Sequence, residues 1–314
     1  MSDARSMWAV VLSGGEGMRL RPLVRKVAGD DRPKQYAKLL GPRSLLRQTL
    51  DRVALGVSTD RTVVVTMRPH AGYIATEFSG VAKPPYLLMQ PRDRGTAAGV
   101  LYPAHWIAWR NPEATVAIFP SDHFVLGEAT FMAHVQEVAR VLDRHPDRVV
   151  LLGAQPTAPE EEYGWIEPGA PLDGVGGLVA SVLDFREKPA EAQVRACLAA
   201  GWLWNTAVVV AKVATLVQLG GEALPGMTGR LARIEPFVDS EEEPAAVHQA
   251  YALMERASFS RGVLQPYPES LGLSRLPRLT WCDLGSPRRV LDVLARMRVR
   301  PTWVDAVEQD AVSV

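Results

Sequence analysis

The sequence predicts an α/β fold of the Rossmann-like type, with a mostly parallel mixed sheet flanked by helices. Short apolar runs rich in β-branched residues alternate with segments of helical periodicity, which is typical of βαβ units. The chain has 314 residues, 47% of them hydrophobic, and this is enough to bury a large core. Because ligands bind at the carboxyl ends of the strands in such sheets, we expect the functional site at that edge.

The first half of the chain has a regular order of elements. Strands are predicted at residues 8–12, 62–66, 115–119 and 149–153, where aliphatic and β-branched residues are consecutive. Helices are predicted at residues 44–53, 96–109 and 131–142, the second of them in spite of Pro103. This alternation of strands with helices predicts a sheet covered on both faces.

The second half of the chain has a different rhythm. A glycine-rich stretch at residues 169–177 precedes a predicted strand at 178–185 and a predicted helix at 190–200. Proline and acidic residues cluster at 235–244 and predict a surface loop. Trp202 and Trp204 stand at alternate positions, so we expect them to pack on one face of a strand.

Composition excludes several classes of protein. Lysine plus arginine equals aspartate plus glutamate, and the formal net charge of zero argues against nucleic acid or an anionic membrane as the main partner. Cys197 and Cys282 are far apart and lack the spacing of a zinc site. The apolar run at residues 7–12 is too short for the core of a signal peptide or a membrane span. We therefore expect a cytoplasmic protein.

A glycine-rich turn follows the first predicted strand. Gly14, Gly15 and Gly17 let backbone amides approach phosphate oxygens without hindrance from a Cβ atom. Arg19 can add charge-assisted hydrogen bonds, whereas the negative charge of Glu16 weakens phosphate binding unless its side chain points away or meets Mg²⁺. The turn lacks the Lys-Ser/Thr of a Walker A loop and the third glycine of the dinucleotide fingerprint, which disfavours a dehydrogenase.

Seven short motifs stand in order along the chain. They are GGEGMRLRPL at 14–23 with PK at 33–34, QP and RGTA within 90–97, PSDH at 120–123, YGWI at 163–166, EKP at 187–189, WNT at 204–206 and WCDLGS at 281–286. Their order resembles that of the sugar-1-phosphate nucleotidyltransferases, and most of all the mannose-1-phosphate guanylyltransferases. The resemblance implies a fold of the nucleotide-diphospho-sugar transferase type. It also implies a catalytic domain over residues 1–290, a short C-terminal helix and tail over 291–314, and no cupin or β-helix domain.

The resemblance implies transfer of a nucleotidyl group, GMP from GTP, to mannose 1-phosphate with release of pyrophosphate. In-line attack on the α-phosphorus needs positive charge near the nonbridging and leaving oxygens. Arg19 is the residue implied near the pyrophosphate, and Lys34 the residue implied between the two reacting phosphates. Mg²⁺ is the implied cofactor. Asp122, at the end of a predicted strand, is its main implied ligand, and Asp283 is the second.

The remaining site residues are divided between the two substrates by the same resemblance. Nucleotide contacts are implied for Gly14, Gly15, Gly17, Gln90, Gly95 and Thr96. Sugar-phosphate contacts are implied for Gly164, Glu187, Lys188 and Asn205. The implied partners are thus GTP, or another nucleoside triphosphate, and a sugar 1-phosphate, without nucleic acid or membrane, and a homodimer is compatible with the family.

Three functional hypotheses remain open. The chain is an active guanylyltransferase, an active transferase for another base or sugar, or a noncatalytic family member that binds a nucleotide sugar and regulates a partner. An inactive relative is expected to lose at least one charged residue of the site. The presence of Arg19, Lys34, Asp122, Lys188 and Asp283 argues against the third hypothesis.

Overall fold

The regular elements of the protein were assigned from a computed structural model that describes residues 7–304. The strands are β1 (Met7–Leu12), β2 (Thr62–Met67), β3 (Tyr86–Gln90), β4 (Thr115–Pro120), β5 (Phe124–Leu126), β6 (Val149–Ala154), β7 (Gly164–Pro171), β8 (Ala180–Glu187), β9 (Leu203–Lys212), β10 (Leu271–Arg275) and β11 (Thr280–Cys282). The helices are α1 (Arg21–Ala28), α2 (Leu45–Val53), α3 (Ala71–Phe78), α4 (Gly95–Ala108), α5 (Glu128–Val141), α6 (Glu191–Ala199), α7 (Val213–Ala223), α8 (Pro225–Ala232), α9 (Glu243–Ala252) and α10 (Pro287–Met297).

One nine-stranded sheet organises the molecule, in the order β3-β2-β1-β4-β9-β6-β10-β8-β7. Strands β3, β2, β1 and β4 are parallel neighbours, and β9 lies antiparallel between β4 and β6. Within this sheet only β8 and β9 run against the others, so the predicted mostly parallel mixed sheet is confirmed. The antiparallel pair β5 and β11 forms a separate small sheet.

Both faces of the sheet are covered, because consecutive side chains of a strand point to opposite sides. Val10 of β1 belongs to a core shared with α4 and α7, whereas Val11 belongs to a second core shared with α2 and α5. Ser44 caps α2 by accepting a hydrogen bond from the amide of Arg47. This double burial explains why β1 is apolar throughout instead of alternating.

The C-terminal helix α10 packs on the main body of the molecule. Its buried residues Val290, Val293 and Leu294 share an apolar cluster with Leu20 and Leu40, among others. Ser286 caps this helix, and its side chain accepts from the amide of Arg289. The rest of the predicted tail, residues 305–314, lies outside the described residues.

The structure contradicts one local prediction and confirms another. The predicted surface loop at 235–244 is wrong at its end, because α9 already begins at Glu243 with Pro244 in its first turn, where proline is favoured. Trp202 and Trp204 are buried packing residues, as predicted. Among the described helices, none combines the length and the apolar character that a bilayer crossing requires.

Candidate active site

The glycine turn and the loop after β4 lie side by side at one edge of the sheet. Strand β1 pairs with β4 in parallel register, Leu12 opposite Pro120, and the Ser121 amide donates to the Leu12 carbonyl at 3.1 Å. The predicted phosphate-binding turn and Asp122 are therefore neighbours, as the topology of a parallel sheet requires.

The glycine turn is hydrogen-bonded by Gln35, a residue that was not assigned to the site from the sequence. The Gln35 amide group donates to the carbonyls of Ser13 and Gly15 at 3.0 and 2.8 Å. Gly17 has a φ of +61°, and a Cβ atom there would lie 3.1 Å from the Lys34 amide nitrogen. Glycine at this position therefore lets the turn pack against the segment that carries Lys34.

Lys34 contacts both the loop that carries Asp122 and the loop that carries Asp283. Its Nζ lies 3.2 Å from Oδ2 of Asp122 and donates to the carbonyls of Asp283 and Leu284 at 2.8 and 3.3 Å. Lys34 is buried, and the Asp122 side chain is about a quarter exposed. The structure thus brings together a lysine and two aspartates, the second of them 249 residues from the lysine in the sequence.

The carboxylate of Asp283 is enclosed by donors. Oδ1 accepts from the Tyr163 hydroxyl at 2.7 Å, from the Gly285 amide at 3.0 Å and from Arg289 Nη1 at 3.1 Å. Burial alone would raise the pKa of Asp283, but the interactions with His123 and Arg289 and the Tyr163 hydrogen bond outweigh it and lower the pKa. Asp283 is therefore ionised at neutral pH.

Arg19 borders this cluster from the solvent side. Its Nη2 lies 4.0 Å from Oδ2 of Asp283, and its Nη1 forms an ion pair with Glu162. Glu16 points away from the cluster, because its carboxylate contacts Arg21 and His70 at 3.3 and 3.2 Å. The negative charge in the glycine turn is thus paired with Arg21 beside it.

A second group of predicted residues meets where β7, β8 and β9 are paired. A Cβ atom at Gly164 would lie 3.0 Å from Glu187 Oε2 and 3.2 Å from the Asn205 Cβ, so the backbone of Gly164 packs tightly against these two side chains. Burial raises the pKa of Glu187. Lys188 adopts a φ of +52°, and its amide donates to the Tyr163 carbonyl at 3.2 Å. Such backbone strain is frequent at functional sites.

The third group surrounds the N-terminus of α4. Gln90 is buried and accepts from the Tyr251 hydroxyl at 3.2 Å. Gly95 has a φ of +80°, and a Cβ atom there would lie 2.2 Å from the Ala257 carbonyl oxygen. The Thr96 hydroxyl accepts from the Phe259 amide at 2.9 Å. In this structure these residues anchor the segment 251–259, which the sequence did not indicate.

A cleft of about 1450 Å³ lies beside Tyr163 and Arg289. Trp204 and Trp281 also line it. The residues that the sequence assigned to the site all fall within the described range, and none of them lines this cleft. The cleft therefore borders the site through Tyr163 and Arg289, which hold Asp283, and through Glu162, which pairs with Arg19.

The fold and this edge of the sheet define an α/β protein with a glycine-rich turn beside a cluster of one lysine and two aspartates. The chain belongs to the nucleotidyl transferase family, whose model matches residues 8–298.

Several relatives agree with this assignment. The chain is 34% identical over 199 residues to the xanthan biosynthesis protein XanB of Xanthomonas campestris, and the match covers 63% of this chain and 40% of that protein. It is 28% identical over 291 residues to a mannose-1-phosphate guanylyltransferase of Sinorhizobium fredii, covering 88% and 52% of the two chains. The chain spans about half the length of the curated relatives it matches.

A solved structure is similar over most of its length. It is described as mannose-1-phosphate geranyltransferase from Thermus thermophilus, with a TM-score of 0.78 and 28% identity, and the match covers 91% of this chain and 79% of that one. A glucose-1-phosphate thymidylyltransferase from Bacillus anthracis, at 14% identity and a TM-score of 0.54, shares the fold. The predicted family and fold are thereby confirmed.

Proposed function

We propose that this chain transfers GMP from GTP to mannose 1-phosphate, giving a nucleotide sugar and pyrophosphate. The convergence of Lys34, Asp122 and Asp283 at the carboxyl edge of the sheet carries the proposal. Phosphoryl transfer of this kind needs charged groups in fixed positions and does not need a nucleophilic side chain. The cluster supplies such charged groups. The names of the guanylyltransferase relatives support the choice of base and sugar.

In the proposed reaction, the glycine turn binds the triphosphate through its backbone amides, and Arg19 pairs with the pyrophosphate that leaves. Lys34 lies between the reacting phosphates and neutralises charge on their oxygens. Gly164, Glu187, Lys188 and Asn205 orient the sugar phosphate, and Gln90, Gly95 and Thr96 border the base. Lys34 already contacts the Asp122 carboxylate and the backbone carbonyl of Asp283, and this supports its central place.

We propose Mg²⁺ as the cofactor, held by Asp122 and Asp283. In residues 7–304 no group of three or more His, Cys, Asp or Glu side chains forms a closed metal cage. Two carboxylates suit a hard cation that takes its other ligands from water and phosphate, as Mg²⁺ commonly does. When bound, the ion supplies positive charge to the phosphate oxygens. The part-exposed Asp122 carboxylate supports this assignment.

We further propose that the chain acts in the cytoplasm on these two small anionic substrates, without nucleic acid or membrane. The balanced charge of the chain supports substrates of this kind, since no excess of basic residues favours a polyanion.

The test is pyrophosphate release with Mg²⁺, for GTP, ATP, UTP, CTP and dTTP, each against mannose, glucose and galactose 1-phosphate. We expect release with GTP and mannose 1-phosphate. Release with a different pair would mean that the chain catalyses the same class of reaction on other substrates than those proposed. Folded protein that is silent with every pair would contradict the proposal and favour the noncatalytic hypothesis.

A further inference from the structure

We propose that Arg289, together with Tyr163, is a positioning residue that fixes the carboxylate of Asp283 for catalysis. We call these two side chains the Asp283 clamp. The inference rests on the proposed function, because it deepens the role of the same site. Neither residue was singled out from the sequence as part of the chemistry.

The clamp contacts both oxygens of the carboxylate. Arg289 Nη1 lies 3.1 Å from Oδ1 and 3.3 Å from Oδ2 of Asp283, and the Tyr163 hydroxyl donates to Oδ1 at 2.7 Å. A charged, planar donor that meets both oxygens restrains rotation of the carboxylate, and a second donor from another element adds to the restraint. Asp283 is therefore held in one orientation before any substrate binds.

Arg289 is itself fixed by its surroundings. Its Nη2 lies 2.6 Å from Glu160 Oε2, and its guanidinium carbon lies 4.7 Å from the centre of the Tyr163 ring. Only 14% of the side chain is exposed. An exposed surface arginine would move among rotamers, whereas this one has an ion-pair partner and a ring contact that restrict it to the clamp.

The local sequence explains how Arg289 reaches the carboxylate of Asp283. Ser286 caps α10, which places Arg289 in the first turn of the helix, facing back to Asp283. A Cβ atom at Gly285 would lie 2.4 Å from Asp283 Oδ2 and 2.8 Å from Arg289 Nη1. Glycine between the aspartate and the helix cap thus leaves room for the guanidinium and the carboxylate in their observed contact.

The clamped carboxylate lies beside the charges that the proposed reaction uses. Lys34 Nζ donates to the Asp283 carbonyl at 2.8 Å, and Arg19 Nη2 lies 4.0 Å from Oδ2. Rotation of the carboxylate would change its distance from Arg19. Loss of a partner that orients a metal-binding carboxylate typically lowers metal affinity or activity about 10- to 100-fold.

The first experiment compares Arg289→Ala with Arg288→Ala, its exposed neighbour on the same helix. We measure kcat and both KM values by pyrophosphate release, and Mn²⁺ binding to the substrate-free protein by electron paramagnetic resonance. For Arg289→Ala we expect kcat to fall about 10- to 100-fold with KM values changed less than about threefold, and the Kd for Mn²⁺ to rise about tenfold. Arg288→Ala should match the wild type. Values of Arg289→Ala within about twofold of the wild type in both assays would overturn the inference.

A second variant covers the case in which Arg289→Ala does not fold. Tyr163→Phe keeps the ring beside Arg289 and removes only the hydroxyl donor, so we expect smaller losses of kcat and Mn²⁺ affinity in the same direction. Unchanged values in Tyr163→Phe would then overturn the clamp. If the wild type releases no pyrophosphate, the proposed function fails, and the Mn²⁺ measurements alone decide the clamp. Absence of Mn²⁺ binding in the wild type would overturn it.

Discussion

The ion pair between Lys34 and Asp122 sets the charge at the centre of the site. Asp122→Asn keeps the size of the side chain but removes the charge that faces Lys34 at 3.2 Å and the proposed metal. We expect kcat for pyrophosphate release to fall at least about 100-fold, since even an outer partner of a metal ligand costs about 10- to 100-fold. The thermal midpoint should change little.

The matched control is Asp60→Asn. Asp60 is exposed and lies before β2, at the opposite edge of the sheet from the site. It should retain the wild-type kcat. Wild-type turnover in Asp122→Asn would remove Asp122 from the proposed metal site.

We expect Glu162, which also lies 3.1 Å from Arg289 Nη1, to compete with phosphate for Arg19. The two side chains form an ion pair in the substrate-free molecule, and a triphosphate that uses Arg19 has to displace the carboxylate. Glu162→Gln should therefore lower the KM for the nucleoside triphosphate about two- to fivefold, the range expected for a part-exposed pair. Steady-state kinetics beside Glu161→Gln, the exposed neighbouring glutamate, checks this. A raised or unchanged KM in Glu162→Gln would show that the pair does not compete with substrate.

At the scale of elements, the junction between α4 and the segment 251–259 depends on one glycine. Gly95→Ala combines an unfavourable φ of +80° with a Cβ atom 2.2 Å from the Ala257 carbonyl oxygen. Gly80→Ala separates the two effects, because Gly80 has a φ of +74° and open space around its Cβ position.

We expect Gly80→Ala to lower the free energy of unfolding by about 1–2 kcal/mol, the cost of the left-handed backbone. Gly95→Ala should lose more and should also raise the KM for the nucleotide, since the segment has to move away from Thr96. Urea unfolding and steady-state kinetics measure both quantities. Equal losses of stability in the two variants would show that the segment around Ala257 moves away from the added methyl group without a further loss of unfolding free energy.

Helix α4 also carries a buried histidine that links stability to pH. Burial lowers the pKa of His105 to about 4, and its Nε2 has no hydrogen-bond partner among the described residues. Between about pH 6.5 and pH 4 the unfolded chain takes up a proton that the folded chain does not, so stability falls as the pH falls through this window. From about pH 7 to pH 5 we expect the free energy of unfolding to drop by about 2 kcal/mol on account of His105.

Urea unfolding of His105→Gln at both pH values checks this contribution. The variant should show a smaller loss on acidification than the wild type. It should keep the part that comes from His123 and His134, since burial lowers the pKa of these histidines too. The exposed His248→Gln serves as the control. A wild-type pH dependence in His105→Gln would contradict the prediction.

At the scale of the whole molecule, the packing of α10 decides where a stable unit can end. A chain cut after residue 290 keeps Arg289 but loses Val293 and Leu294, both buried against the cluster that contains Leu20. Because removal of one such side chain costs about 2–5 kcal/mol, we expect the shortened chain to lose about 5 kcal/mol or more of unfolding free energy. A chain cut after residue 304 is the control. Equal urea midpoints for the two chains would show that the stable domain ends at residue 290.

Some of this architecture could be predicted because it depends on local patterns. The apolar runs predicted β1, β2, β4 and β6 to within one or two residues. The edge strand β3 was missed, because its five residues are too few to give a clear periodicity. The predicted loop at 235–244 ran into the first two residues of α9 because proline and acidic residues look like turn residues, although proline in a first turn also marks a helix start.

The sequence by itself determined the alternation of strands and helices, the family and the candidate residues, since periodicity and motif order are properties of neighbouring residues. Only the tertiary structure decided that β9 runs antiparallel between β4 and β6, that Lys34 meets Asp283, and that Arg289 clamps the Asp283 carboxylate. These contacts depend on the order of strands in the sheet and on the direction of individual side chains. Elements far apart in the chain bury their apolar surfaces together, and their final arrangement fixes such contacts.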